Sequence, residues 1–114
     1  MKFNETIGSL SALAQETRLR VFRLLVRMGE AGLPAGKIAA ELGVNATTLS
    51  RHLALMESAG LLKSERNVRQ IIYRVDFPAV RGLFAFLLED CCAGDARIVG
   101  KTCENISKQE TVET

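Results

Sequence analysis

Two short amphipathic segments separated by the three-residue stretch Gly43-Val44-Asn45 constrain the fold more than any other feature of the chain. Upstream, Lys37-Ile38-Ala39-Ala40-Glu41-Leu42 has the composition of a short helix, and Gly43 suits the left-handed position that follows a helix end. Downstream, Asn45 is a good N-cap for a helix over 46–58 whose inward stripe is Leu49, Leu53 and Met56 and whose end is marked by Gly60. Two helices joined by so tight a turn make a helix-turn-helix candidate.

The flanking segments supply the rest of a small core. Ile7, Leu10, Leu13 and Ala14 fall on one helical stripe, and after Gln15-Glu16-Thr17 a second helix is expected to bury Leu19, Phe22, Leu25 and Val26. Gly29 and Gly32-Leu33-Pro34 stop that helix. Beyond Gly60 the pattern changes to the short apolar or β-branched runs Leu61–Arg66 and Ile71–Val75, separated by the polar Asn67-Val68-Arg69-Gln70, which predicts a β-hairpin. Pro78 can open a last long helix in its first turn, with Val80, Leu83, Phe84, Leu87 and Leu88 as a broad apolar face. The expected fold class is therefore mainly α with a small β-hairpin, in a winged helix-turn-helix layout. Residues 1–104 form one domain, and 105–114 form a polar, disordered tail with only Ile106 and Val112 to bury.

A length of 114 residues with 47% hydrophobic content suffices for one core, although chains this small often gain stability by dimerising. No apolar run approaches the roughly 20 residues that would span a bilayer, so a cytoplasmic protein with no membrane partner is expected. Charge is divided unevenly. Residues 1–75 carry eleven Lys/Arg against six Asp/Glu, and 76–114 carry four against seven, which suits one face meeting phosphate while the acidic remainder stays clear of it.

A helix that enters the major groove must be apolar on one side and carry small polar and cationic groups on the other. Thr47, Thr48, Ser50 and Arg51 meet that demand, and Arg51 could donate two hydrogen bonds to a guanine edge. The hairpin carries Lys63, Arg66, Arg69 and Arg74 against one acid, Glu65, which fits a wing lying along phosphate or the adjacent minor groove, with Arg69 near its tip. His52 follows Ser50-Arg51 and precedes buried Leu53, a place for packing or a phosphate contact. These positions predict double-stranded operator DNA as the partner.

All three cysteines lie near the other end: Cys91 and Cys92 are adjacent, and Cys103 follows after a glycine break. In a reducing compartment such an odd set points to metal binding, redox chemistry or core filling before a disulfide framework. Adjacent cysteines are also poor disulfide partners, because the ring between neighbours is strained.

Ala12-Leu13-Ala14-Gln15-Glu16-Thr17-Arg18-Leu19-Arg20, Leu49-Ser50-Arg51-His52-Leu53 and Glu57-Ser58-Ala59-Gly60-Leu61-Leu62 together resemble the ArsR/SmtB family of metal-responsive repressors, over about residues 5–92. The resemblance implies a homodimeric repressor that binds an operator when empty and leaves it when a metal or metalloid binds, with the dimer built from the first and last helices. The chain departs from the family at Ala46, often polar there, and at Val68, often a wing glycine. The short helix before the recognition helix lacks the thiols many members carry, and residues 78–90 lack the histidines of the zinc sensors. Cys91, Cys92 and Cys103 resemble instead the arsenic-responsive subset with a vicinal pair at the end of the last helix and a third thiol beyond. The implied inducer is trivalent arsenic or antimony, as arsenite, antimonite or methylarsenite, with no organic cofactor. Such ions are soft and take three thiolates in a pyramid, whereas a structural zinc site wants four ligands. A redox or reactive-sulfur sensor in which Cys103 pairs with Cys91 or Cys92 is the alternative within the same fold. An enzyme is disfavoured, because His52 belongs to the DNA-reading helix and no phosphate-cradling glycine loop or paired carboxylates accompany it.

Overall fold

The computed structural model describes residues 2–91 and 93–100, the side chains of Asp90 and Cys91 excepted. Helix α1 spans Phe3–Leu13 and α2 spans Glu16–Met28, and a single 3-10 turn, Gly29–Ala31, leads to strand β1, Leu33–Pro34. Helices α3, Ala35–Leu42, and α4, Ala46–Ser58, flank the tight turn; β2, Leu62–Asn67, and β3, Gln70–Val75, form the hairpin; α5, Phe77–Ala85, continues as a π-helical segment over Phe86–Cys91. The expected boundary at residue 104 and the tail 105–114 lie outside the described residues. No described helix is long and apolar enough to cross a membrane.

The helix-turn-helix forms where the sequence places it. Gly43 adopts φ +64°, and the Asn45 side chain accepts from the backbone N–H groups of Thr47 at 2.8 Å and Thr48 at 3.4 Å. Those two amides would otherwise lack partners in the first turn of α4. Leu49, Leu53 and Met56 are fully buried in one cluster with Val21, Leu25, Ile38, Leu61, Leu62, Val75, Val80 and Leu83.

The hydrophobic stripe expected on α2 requires correction. Its inward face is Val21 and Leu25, with Phe22 and Leu24 half-buried, while Leu19 and Val26 are 52% and 41% exposed. Both stripes are apolar at helical spacing, so periodicity could not choose between them; packing of α2 against α3, α4 and β3 does. On α1 the small residues Thr6, Ser9 and Ala12 face inward, and the Ser9 hydroxyl donates to the Ala59 carbonyl at 3.1 Å. Close approach of α1 to the end of α4 demands small side chains, so Ile7 and Leu10 of the apolar stripe point outward.

A third strand joins the hairpin. Leu33 and Pro34 pair antiparallel with Tyr73 and Ile72, giving the order β1-β3-β2, where the sequence indicated only a helix stop. Gly32 makes that pairing possible: it has φ +65°, and a Cβ there would collide with the Tyr73 carbonyl oxygen. The hairpin register runs from Leu62 opposite Val75 to Asn67 opposite Gln70, leaving Val68 and Arg69 as a two-residue loop. Val68 takes φ +53°, a conformation costly for a β-branched residue and natural for glycine.

The last helix is also not the uninterrupted α-helix expected. Asp76 caps α5 by accepting from Ala79 N–H at 3.2 Å, with Pro78 in the first turn, but hydrogen bonding changes from i→i+4 to i→i+5 at Phe86. The Phe86 ring meets Phe3 of α1 edge to face, with centroids 5.1 Å apart.

Gly32 and Val68 give opposite predictions from the same backbone property. Gly32→Ala should destabilise the domain by at least about 2 kcal/mol, combining left-handed strain with the collision. Val68→Gly should instead stabilise it by about 1 kcal/mol, because the side chain is exposed and contributes little packing. Thermal unfolding of both variants checks the signs; equal shifts in one direction would contradict this account.

Candidate nucleic-acid interface and thiol segment

The side of α4 opposite its buried stripe presents Thr47, Thr48, Ser50 and Arg51, all exposed. Capping by Asn45 fixes where the first turn begins and hence where the two threonines stand. Glu57, near the end of the helix, accepts from the Ser64 hydroxyl at 2.6 Å and ties α4 to β2. Burial first, and the neighbouring Glu57 carboxylate second, raise the Tyr73 phenol above its ordinary pKa.

The hairpin sorts its cations by position. Arg74 donates to Glu65 at 2.9 Å, and Lys63 lies 3.9 Å from Asp76, so the two basic groups nearer the base of the sheet are tied to carboxylates. Arg66 and Arg69, nearer the tip, are exposed and make no ion pair among the described residues. A wing with neutralised roots and a cationic end can present charge to phosphate without weakening its own attachment.

His52 is half-buried on the flank of α4. Its Nδ1 lies 3.2 Å from Nη1 of Arg18, whose Nε donates to the Ala12 carbonyl at 2.6 Å. Arg18 has no role in the sequence reading, and no local spacing would have linked residue 18 to residue 52.

Cys91 closes the π-helical segment, but its side chain and all of Cys92 and Cys103 lie outside the described residues. After the pair the chain turns: Ala93 and Gly94 have φ +52° and +66°, and Gly94 N–H donates to the Leu88 carbonyl at 2.7 Å. Asp95 then accepts from the Arg97 backbone and guanidinium at 2.8–3.1 Å as residues 96–100 turn helical. Those hydrogen bonds hold the Asp95 carboxyl below its ordinary range.

Residues 13–65 match the model of a helix-turn-helix domain family. Over 83 residues, or 73% of this chain and 82% of the relative, the sequence is 32% identical to the HTH-type transcriptional regulator YgaV of Escherichia coli. It is 28% identical to the arsenical resistance operon repressor of the same organism, across 96% of this chain and 91% of that protein. The solution structure of a homodimeric winged helix-turn-helix DNA-binding domain from Mycobacterium bovis, a possible ArsR-family transcriptional regulator, superimposes with a TM-score of 0.63 at 27% identity, covering 84% of this chain and 83% of that one. With a capped helix that exposes hydroxyls and arginine, a cationic wing and these likenesses, the chain belongs to the ArsR/SmtB family of winged helix-turn-helix DNA-binding transcriptional regulators.

Proposed function

We propose that the protein is a homodimeric operator-binding repressor released from DNA when trivalent arsenic or antimony is bound by Cys91, Cys92 and Cys103. The observation that carries this reading is the confinement of all three thiols to residues 91–103 of the sequence, in the number a pyramidal three-coordinate ion takes. Likeness to the arsenical resistance operon repressor over nearly the whole chain supports it. Arsenite, antimonite and methylarsenite share this chemistry, and the methylated form needs only two thiolates.

Dimerisation through α1 and α5 is supported by what those helices leave uncovered. Phe3, Ile7 and Leu10 on α1 are 69%, 64% and 41% exposed, and Phe84 on α5 is 51% exposed. Burying such side chains between two copies contributes about 1.5–3 kcal/mol for each one fully covered. The thiol segment continues the helix that meets α1 through Phe86 and Phe3, so a ligand acting there bears on the same interface. Half-site spacing depends on how two recognition helices are held apart, and that spacing is the quantity release must change.

DNA contact is assigned to Thr47, Thr48, Ser50, Arg51 and His52 on α4 and to Arg66 and Arg69 on the wing. Arg51→Ala should weaken binding by about 1–3 kcal/mol and relax preference at one base pair, whereas Arg69→Ala should weaken binding to all sequences and lower the salt slope by about 1. Titrations against a duplex selected from a random pool by the parent protein measure both. Parental behaviour in both variants would remove α4 and the wing as the DNA-reading surface.

For the sensor, Cys91→Ser, Cys92→Ser and Cys103→Ser should each keep DNA binding under reducing conditions and reduce release by arsenite. Loss of Cys103 should be mildest toward methylarsenite. A Cys91→Ser/Cys92→Ser protein that still left the selected duplex at parental arsenite concentrations would sink the site. Release of metal-free parent protein by peroxide or persulfide, with none by arsenite, would establish the redox alternative.

A further inference from the structure

Arg18 occupies a junction that neither the DNA face nor the thiol segment accounts for. It stands in the first turn of α2, where its backbone N–H donates to the Gln15 side chain at 2.8 Å. Its Nε donates at 2.6 Å to the carbonyl of Ala12, one of the last four residues of α1. Carbonyls there have no partner within the helix, and the negative end of the helix dipole favours a cation. Since α1 has no basic residue in its own last turn, Arg18 supplies that charge from the next element. Among the described residues no carboxylate pairs with Arg18.

The second contact, Nη1 to Nδ1 of His52 at 3.2 Å, has a chemical consequence. A guanidinium has five N–H donors and no acceptor, so Nδ1 must accept. In the neutral imidazole the proton then belongs to Nε2, and that nitrogen can only donate. His52 stands one position after Arg51 and four after Thr48, on the edge between the buried stripe of α4 and its exposed polar face. DNA phosphates offer acceptors alone. The opposite tautomer would turn a lone pair toward them.

We propose that Arg18 is a positioning residue for DNA binding: it holds His52 in the Nε2–H tautomer, ready to donate to a backbone phosphate, and it clamps α4 to the end of α1. This rests on α4 being the recognition helix, and the two statements fail separately. A rigid tie between α1 and α4 lets a change in α1 reach the DNA face without loosening the domain.

His52 is the sole histidine of the chain, so nitrogen-15 imidazole spectra of the reduced, full-length protein report this ring without overlap. At a pH where the ring is neutral, the parent should show the Nε2–H pattern, and Arg18→Gln should shift the ring to a tautomer mixture. Affinity for the duplex selected by the parent should fall about tenfold in Arg18→Gln and in His52→Ala, the loss of one positioned hydrogen bond. The double variant should lose little more than either alone, because both changes remove one arrangement. Arg18→Lys, which keeps the charge on a single donor atom, should also fall, as a purely electrostatic role would not require. His52→Gln, retaining an N–H donor, should bind better than His52→Ala, and this comparison stands even if the Arg18 variants fold poorly. An Nδ1–H pattern in the parent, or losses that simply add, would overturn the proposal. Arg51→Ala in the same titration separates the readings: weakening there with parental binding in the Arg18 and His52 variants overturns this proposal alone, and no weakening removes the recognition helix beneath it.

Discussion

Burial of one face of α4 is the constraint on which the rest of the structure depends. Leu49, Leu53 and Met56 are fully buried, and the helix that carries them packs against α1, α2, α3 and β2. The opposite face of the same thirteen residues holds the hydroxyls and the arginine available to a ligand. One helix therefore serves as both the centre of the core and a polar surface open to a ligand. Truncating a buried leucine costs about 2–5 kcal/mol, a large part of the 5–15 kcal/mol that holds a domain of this size together. Position and orientation of that polar face are thus set by the core itself and need no separate scaffold.

Charge follows the same division between attachment and presentation. At the root of the hairpin, Arg74 and Lys63 face Glu65 and Asp76, while Arg66 and Arg69 stand free of carboxylates among the described residues. Exposed ion pairs contribute little to stability, so the pairing matters more for where positive potential is concentrated than for holding the sheet. The tip carries that potential on a loop whose first residue, Val68, is held in a conformation suited to glycine. A wing that accepts local strain at its tip has its register fixed lower down, by Leu62 and Val75 in the core.

What the sequence made legible were features with local causes. Asn45, Gly43 and the Leu49-Leu53-Met56 spacing each act over a few residues, and they locate the helix-turn-helix within two residues of its observed bounds. The hairpin strands emerged with similar accuracy from their β-branched runs and polar turn. Three features did not emerge, each for a non-local reason. The inward face of α2 depends on which neighbours it meets: of the expected Leu19, Phe22, Leu25 and Val26, Leu25 is buried and Phe22 half-buried, while Val21 takes the inward place that Leu19 and Val26 do not. Strand β1 is two residues long and exists only because β3 offers it an edge. The junction of Arg18 with Ala12 and His52 joins residues 34 positions apart, and no pattern in the sequence marks it. The change to i→i+5 bonding at Phe86 is a fourth departure, with no propensity signal in Phe86-Leu87-Leu88-Glu89-Asp90.

On the proposed reading, a thousandfold release from DNA requires about 4 kcal/mol of differential binding between two conformations. A single hydrogen bond supplies about 1 kcal/mol, so no one contact between the thiol segment and the DNA face can carry it. The signal must pass through an element with two arrangements in which many contacts change together. A π-helical turn contains one residue more than the α-helical turn it replaces, and its conversion rotates every group beyond it. In this chain that segment begins at Phe86, whose ring meets α1, and ends at Cys91, where the thiols begin. Drawing the three sulfurs around one ion would favour whichever arrangement brings them within reach. Helix α1 exposes Phe3, Ile7 and Leu10, meets Phe86 at one end and is tied to α4 through Arg18 at the other, so on that reading it would connect the two segments.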